Sequence, residues 1–73
     1  MIPVRVTYDA EADAAYFYFV EEIQPAEVVR TVCVDPEEVG GMVNLDLDAD
    51  GKMLGLEVLD ARRLLRTDVL PGG

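Results

Sequence analysis

Residues 42–60, MVNLDLDADGKMLGLEVLD, constrain the fold more than any other part of the chain. Apolar residues alternate with polar ones on both sides of Asp50–Gly51, the dipeptide that a type I′ hairpin turn favours. With that turn at the tip, Leu47 falls opposite Leu54, Leu45 opposite Leu56 and Val43 opposite Val58. The other face then carries Asp48 with Met53, Asp46 with Gly55 and Asn44 with Glu57. Every apolar pair lies on one face, and every pair on the other contains a polar residue. A slip of one residue would send each side chain to the wrong face, so turn chemistry and pattern specify the same register.

The same stretch satisfies D-x-[DN]-x-[DN]-G-x₅-E, the pattern of a calcium loop, through Asp46, Asp48, Asp50, Gly51 and Glu57. A calcium loop of that kind sits between two helices, and its oxygens converge to about 2.3–2.6 Å from one ion. Here the flanks alternate with period two and read as strands. Along a strand, Asp46 and Asp48 stand about 6.5–7 Å apart. A hairpin spreads these carboxylates out. Asp46, Asp48, Asp50 and Glu57 are therefore candidate ligands for loose cation association only, and no resident cofactor is expected.

Upstream, residues 3–8 alternate as a half-buried strand. Asp9 suits an Asx-turn that accepts the amides just after it. Residues 14–20, AAYFYFV, are apolar on both faces, with Tyr16, Tyr18 and Val20 on one and Phe17 and Phe19 on the other. Such a strand is covered on both sides. A turn over 21–25 leads to a third strand over 26–34, followed by a loop over 35–41 with Pro36, Gly40 and Gly41 as breakers. After the hairpin, Asp60 is a helix N-cap, with Leu59 and Leu64 as its hydrophobic staple. Arg62, Arg63 and Arg66 follow, and residues 67–73 read as a flexible tail. The expected fold class is α+β: a small antiparallel β-meander of about five strands with one short C-terminal helix, in a single domain over residues 1–73.

A chain of 73 residues buries only about 60% of the surface it exposes when unfolded. Domains this small usually need a staple or a partner. One cysteine excludes an internal disulfide, and 51% apolar residues favour self-association, most simply as a homodimer. Fifteen acidic against six basic residues give a formal charge of −9. Phosphate recognition needs clustered cations, so nucleic acid is not an expected partner, and neither is an anionic membrane surface. No signal peptide or membrane-length apolar run is visible. The lone Cys33, in an apolar strand pattern, reads as a small buried hydrophobe in a reducing cytoplasm.

With neither histidine nor serine, and one cysteine, the chain lacks the parts of a nucleophilic triad or a zinc site. Lys52 follows the hairpin glycine and belongs to no phosphate-cradling loop. Carboxylates are plentiful: Glu11 with Asp13, Asp46 with Asp48, and Glu57. Acid–base chemistry by such a pair also needs a cleft, and so small a chain has room for one only between subunits. No catalytic residue is assigned.

Tyr8, Asp9, Glu11, Ala12, Asp13, Ala14 and Tyr16, followed by Asp46, Asp48, Gly51, Gly55, Glu57, Leu59, Asp60 and Ala61, resemble the two motifs of the bacterial and archaeal family catalogued as domain of unknown function 2283. The resemblance implies a small β-rich fold with no assigned activity. It reads the matching residues as architecture: a turn cap at Asp9, strand aromatics, a hairpin at Gly51, close approach at Gly55 and a cap at Asp60. It also implies an antitoxin-like pairing with a small basic protein. Three functions stand open: a homodimeric protein-interaction module, a divalent-cation-binding domain using residues 46–57, and a carboxylate enzyme with its site at a subunit interface.

Overall fold

The structure, a computed structural model, describes residues 1–72. Five strands form one antiparallel sheet: β1 (Arg5–Asp9), β2 (Ala14–Tyr18), β3 (Arg30–Cys33), β4 (Val43–Leu47) and β5 (Met53–Leu59). Two one-turn helices, α1 (Pro36–Val39) and α2 (Ala61–Leu64), and a 3₁₀ turn over Thr67–Val69 complete it. The strand order is β1-β2-β5-β4-β3, which corrects the expected meander. After β2 the chain runs along residues 19–29 to the far edge before returning, and the last strand closes the gap between β2 and β4.

That detour is longer than the alternation suggested. The third strand covers only Arg30–Cys33, and residues 26–29 precede it as a loop, with Ala26 at a left-handed φ of 64°. The expected loop at 35–41 holds α1. Asp35 accepts the Glu37 amide, Pro36 opens the helix and Gly40 ends it in the left-handed region at φ 81°, the arrangement that proline and glycine favour at helix ends. Gly73, the end of the expected flexible tail at 67–73, lies outside the described residues. Within that segment Leu70 is buried in the core.

The hairpin keeps the expected register over Val43–Val58, Asn44–Glu57, Leu45–Leu56 and Asp46–Gly55. Its tip differs. The Gly51 amide donates to the Asp48 carbonyl, and Asp48 and Lys52 close the loop with a 2.9 Å bond. Only Gly51, at φ 78°, takes the left-handed conformation there. This is a three-residue loop, a turn followed by a left-handed glycine, and not a two-residue type I′ turn. Asp48 explains the choice: its Oδ1 accepts the amides of Asp50 and Lys52, each at 2.9 Å. A bulge between Asp46 and Leu47 absorbs the change, so Leu47 stands opposite Met53 instead of Leu54.

Alternation assigns the two faces. Val6, Tyr8, Ala15, Phe17, Val43, Leu45, Leu56 and Val58 share one, by their registers. There Ala15 and Val58 pack with Ala61 and Leu70 in a buried cluster. At the other end of this face Leu47 and Leu54 are also buried, and the strip between the two ends is half-buried, with Val32 exposed at its edge. The other face is open and polar.

Candidate functional site

The two motif segments meet at two places. The first is the joint between the β1–β2 turn and α2. Asp9 Oδ1 accepts the amides of Glu11 and Ala12 at 3.0 and 3.3 Å, the expected Asx-turn, with Glu11 exposed at its crest. The turn ends at Asp13, in the left-handed region at φ 51°. From there the Asp13 carbonyl accepts the Ala61 amide at 3.0 Å, and its Oδ1 accepts the Arg62 amide at 3.2 Å and the Tyr8 hydroxyl at 2.7 Å. The first amides of α2 are thus held by a residue nearly fifty positions upstream.

Asp60 plays a different part from the one expected. It sits at φ 56° and its side chain caps no amide, because the left-handed backbone turns the carboxylate away from the helix start. That carboxylate instead accepts from Arg63 Nε at 2.6 Å, while Arg63 also donates to the Gly40 carbonyl and ties α2 to the end of α1. The cap predicted at Asp60 is supplied by Asp13.

The hydrogen bond from Tyr8 and the Arg62 amide beside it hold the Asp13 carboxyl below its ordinary value. The same bond pushes the Tyr8 phenol above its own. A lowered carboxyl favours the fold above the ordinary carboxylate range, and that contribution is lost as pH falls through the folded-state value. A raised phenol favours the fold below about pH 10, with loss as pH rises through its folded-state value. The melting-temperature difference between the unmutated chain and Asp13→Asn is therefore expected to be largest near neutrality and to shrink below about pH 4. A difference independent of pH from 3 to 7 would contradict this assignment.

The second meeting place is the open face. Cross-strand registers set Thr31, Asp46, Gly55, Tyr18 and Arg5 in one row, and Cys33, Asn44, Glu57, Tyr16 and Thr7 in the next. Tyr16 leaves its own row and leans over Gly55 to donate to Asp46 Oδ2 at 2.5 Å. A Cβ on Gly55 would overlap the Tyr16 ring, so glycine is what leaves room for this diagonal. Thr31 donates to the other Asp46 oxygen at 2.6 Å, and Asn44 donates to Glu57 at 3.2 Å. The Arg5 guanidinium lies 3.8 Å over the Tyr18 ring, whose centroid is 4.7 Å from that of Tyr16. Burial, then the bond to Asp46, raises the Tyr16 phenol well above its ordinary value, which keeps its proton on the hydroxyl that donates to Asp46.

Sequence reading picked out Tyr16, Asp46, Gly55 and Glu57, with Asn44 opposite Glu57, but not the bond that unites the first three, nor Thr31 and Arg5 around them. The one available signal was a glycine opposite an aspartate in an otherwise side-chain-rich ladder. Cys33, expected to be buried, is exposed, because it lies on the edge strand and points to this open face.

Of the four candidate cation ligands, Asp46 and Glu57 stand on the open face, while Asp48 and Asp50 lie in the hairpin loop. Among the described residues no three acidic, histidine or cysteine side chains converge as a metal site requires. Asp48 is already engaged by two amides. Millimolar calcium is expected to leave the melting temperature where a chelator leaves it. A rise of several degrees would reveal a site formed only in the native state.

Among the described residues no cavity opens on either face, and no helix is long and apolar enough to cross a membrane. The class is a small domain built on one antiparallel sheet, with one face partly covered by short helices and the other left open. The model of the family described as "Protein of unknown function (DUF2283)" matches residues 5–62. The chain belongs to that family, and the match spans both meeting places from β1 to the start of α2. No curated protein and no solved structure matches the chain.

Proposed function

We propose that this chain is a protein-interaction module that works as a homodimer and offers an acidic surface to a small basic protein. The observation that carries the reading is an unfinished core. Six hydrophobic residues are buried, two of them alanines, while Val4, Val29, Val32, Met42 and Met53 are among the large apolar side chains left exposed. A compact monomer of 8.0 kDa is expected to expose about 4,450 Å²; this chain exposes 5119 Å². The excess, part of it in the apolar arm at residues 1–4, approaches the roughly 800 Å² that each partner buries in a standard interface.

The acidic role rests on a formal charge of −9 and on the placement of Asp9, Asp46 and Glu57 together on the open face. Charge of one sign steers and selects a partner of the other. Light scattering on a size-exclusion column tests both parts. The expected mass is twice 8.0 kDa, with a further shift in low salt when a small basic protein encoded by a neighbouring gene, sought in the source genome, is added. A monomer at every concentration removes the homodimer. Separate elution at low salt removes the basic partner.

A further inference from the structure

We infer that the second copy docks on the half-buried middle of the apolar sheet face, along a row formed by Val6, Phe17, Leu56, Leu45 and Val32. The inference rests on the homodimer reading and says which surface makes the dimer. Each strand contributes one residue: Val6 pairs with Phe17, Phe17 with Leu56, Leu56 with Leu45, and Leu45 with Val32. With strands about 4.8 Å apart the row is about 19 Å long. It crosses the whole sheet, and no member of it is buried. The residues on either side are different: Ala15 and Val58 lie beneath Ala61 and Leu70, and Leu47 and Leu54 are buried at the other end. The row lies between these two covered ends, with Phe17 and Leu56 touching the buried cluster and Val32 exposed.

Charge selects the occupant. The chain carries 15 acidic residues, yet no strand residue on this face is acidic, since Asp9, Asp46 and Glu57 all point the other way by register. The charged strand residue on this side is Arg30, at the edge. A basic partner finds no strand carboxylate to pair with here, whereas a second copy of the same acidic chain meets a row of strands whose carboxylates point away. An apolar row running straight across the strands also superposes on itself under a two-fold axis in the plane between the sheets, as an isologous interface requires. Face-to-face packing at the usual spacing of about 10 Å lets the two rows interdigitate. Both open faces, with their carboxylates and tyrosines, then point outward.

Val6 and Val32 sit on strands at opposite edges of the sheet, which makes them the discriminating pair. Sedimentation equilibrium is expected to show the dimer weakened at least tenfold by Val6→Asp and, separately, by Val32→Asp, with Thr7→Asp on the open face leaving it unchanged. Weakening by only one of the two valine variants indicates edge-to-edge strand pairing and overturns the inference while leaving the homodimer intact. Weakening by neither also overturns it. A monomeric unmutated chain sinks the homodimer itself. Isotope-filtered NOEs on a mixture of labelled and unlabelled unmutated protein need no variant to fold. Contacts between copies at Phe17, Leu45 and Leu56 are expected, and contacts confined to the backbone of an edge strand overturn the assignment.

Discussion

Gly55→Ala is expected to destabilise the fold by roughly 1–2 kcal/mol, although alanine in a strand interior ordinarily improves on glycine. The new methyl group would occupy the place of the Tyr16 ring, which must swing aside. Swinging breaks the bond to Asp46 and exposes a ring that now covers the sheet. The sign should reverse once Tyr16 is gone. In a Tyr16→Ala background, Gly55→Ala is expected to stabilise by about 0.5–1 kcal/mol, because only the lower chain entropy of alanine remains. Urea unfolding of the four proteins closes the cycle. Equal effects of Gly55→Ala in both backgrounds would show that the glycine answers to something other than Tyr16.

Asp13→Gly is expected to lower the melting temperature by roughly 5–15 °C, whereas Asp60→Gly shifts it by less than about 3 °C. Both aspartates occupy the left-handed region, at φ 51° and 56°, where glycine fits without strain. The substitution therefore treats the two backbones alike and isolates the side chains. Asp13 loses the Tyr8 hydroxyl and the Arg62 amide, leaving α2 without the side-chain half of its cap, while the backbone bond to the Ala61 amide remains. Asp60 loses a bond to Arg63 between side chains more than half exposed, a kind of pair worth little in water. Thermal melts followed by circular dichroism distinguish the two, and equal losses would return the cap to Asp60.

Elements whose information is local were legible in the sequence. The hairpin register from Val43–Val58 to Asp46–Gly55 followed from alternation, and the Asp9 turn from a side chain that reaches the next amides. What escaped was information carried between distant residues. Asp60 has the composition and position of a cap, but its backbone conformation is set by the chain turning off β5, and the Asp13 that replaces it is a neighbour only in the fold. The strand order escaped for a similar reason, since alternation marks strands without saying which edges meet. At the hairpin tip, Asp–Gly signals a tight turn, yet Asp48 two positions earlier gathers the amides of a longer loop. The site residues were individually visible; the diagonal of Tyr16 over Gly55 was not, because it joins different cross-strand rows.

The claim on which the functional reading turns is that one chain does not complete its own core. Thermal unfolding of the unmutated protein over a hundredfold range of concentration tests it without variant, ligand or partner. When association and folding are coupled, the midpoint climbs with protein concentration, and a steady upward shift across the range is the expected result. A midpoint that stays fixed while the folded species weighs 8.0 kDa would mean that the single sheet stands alone, with its half-buried apolar row left without a partner.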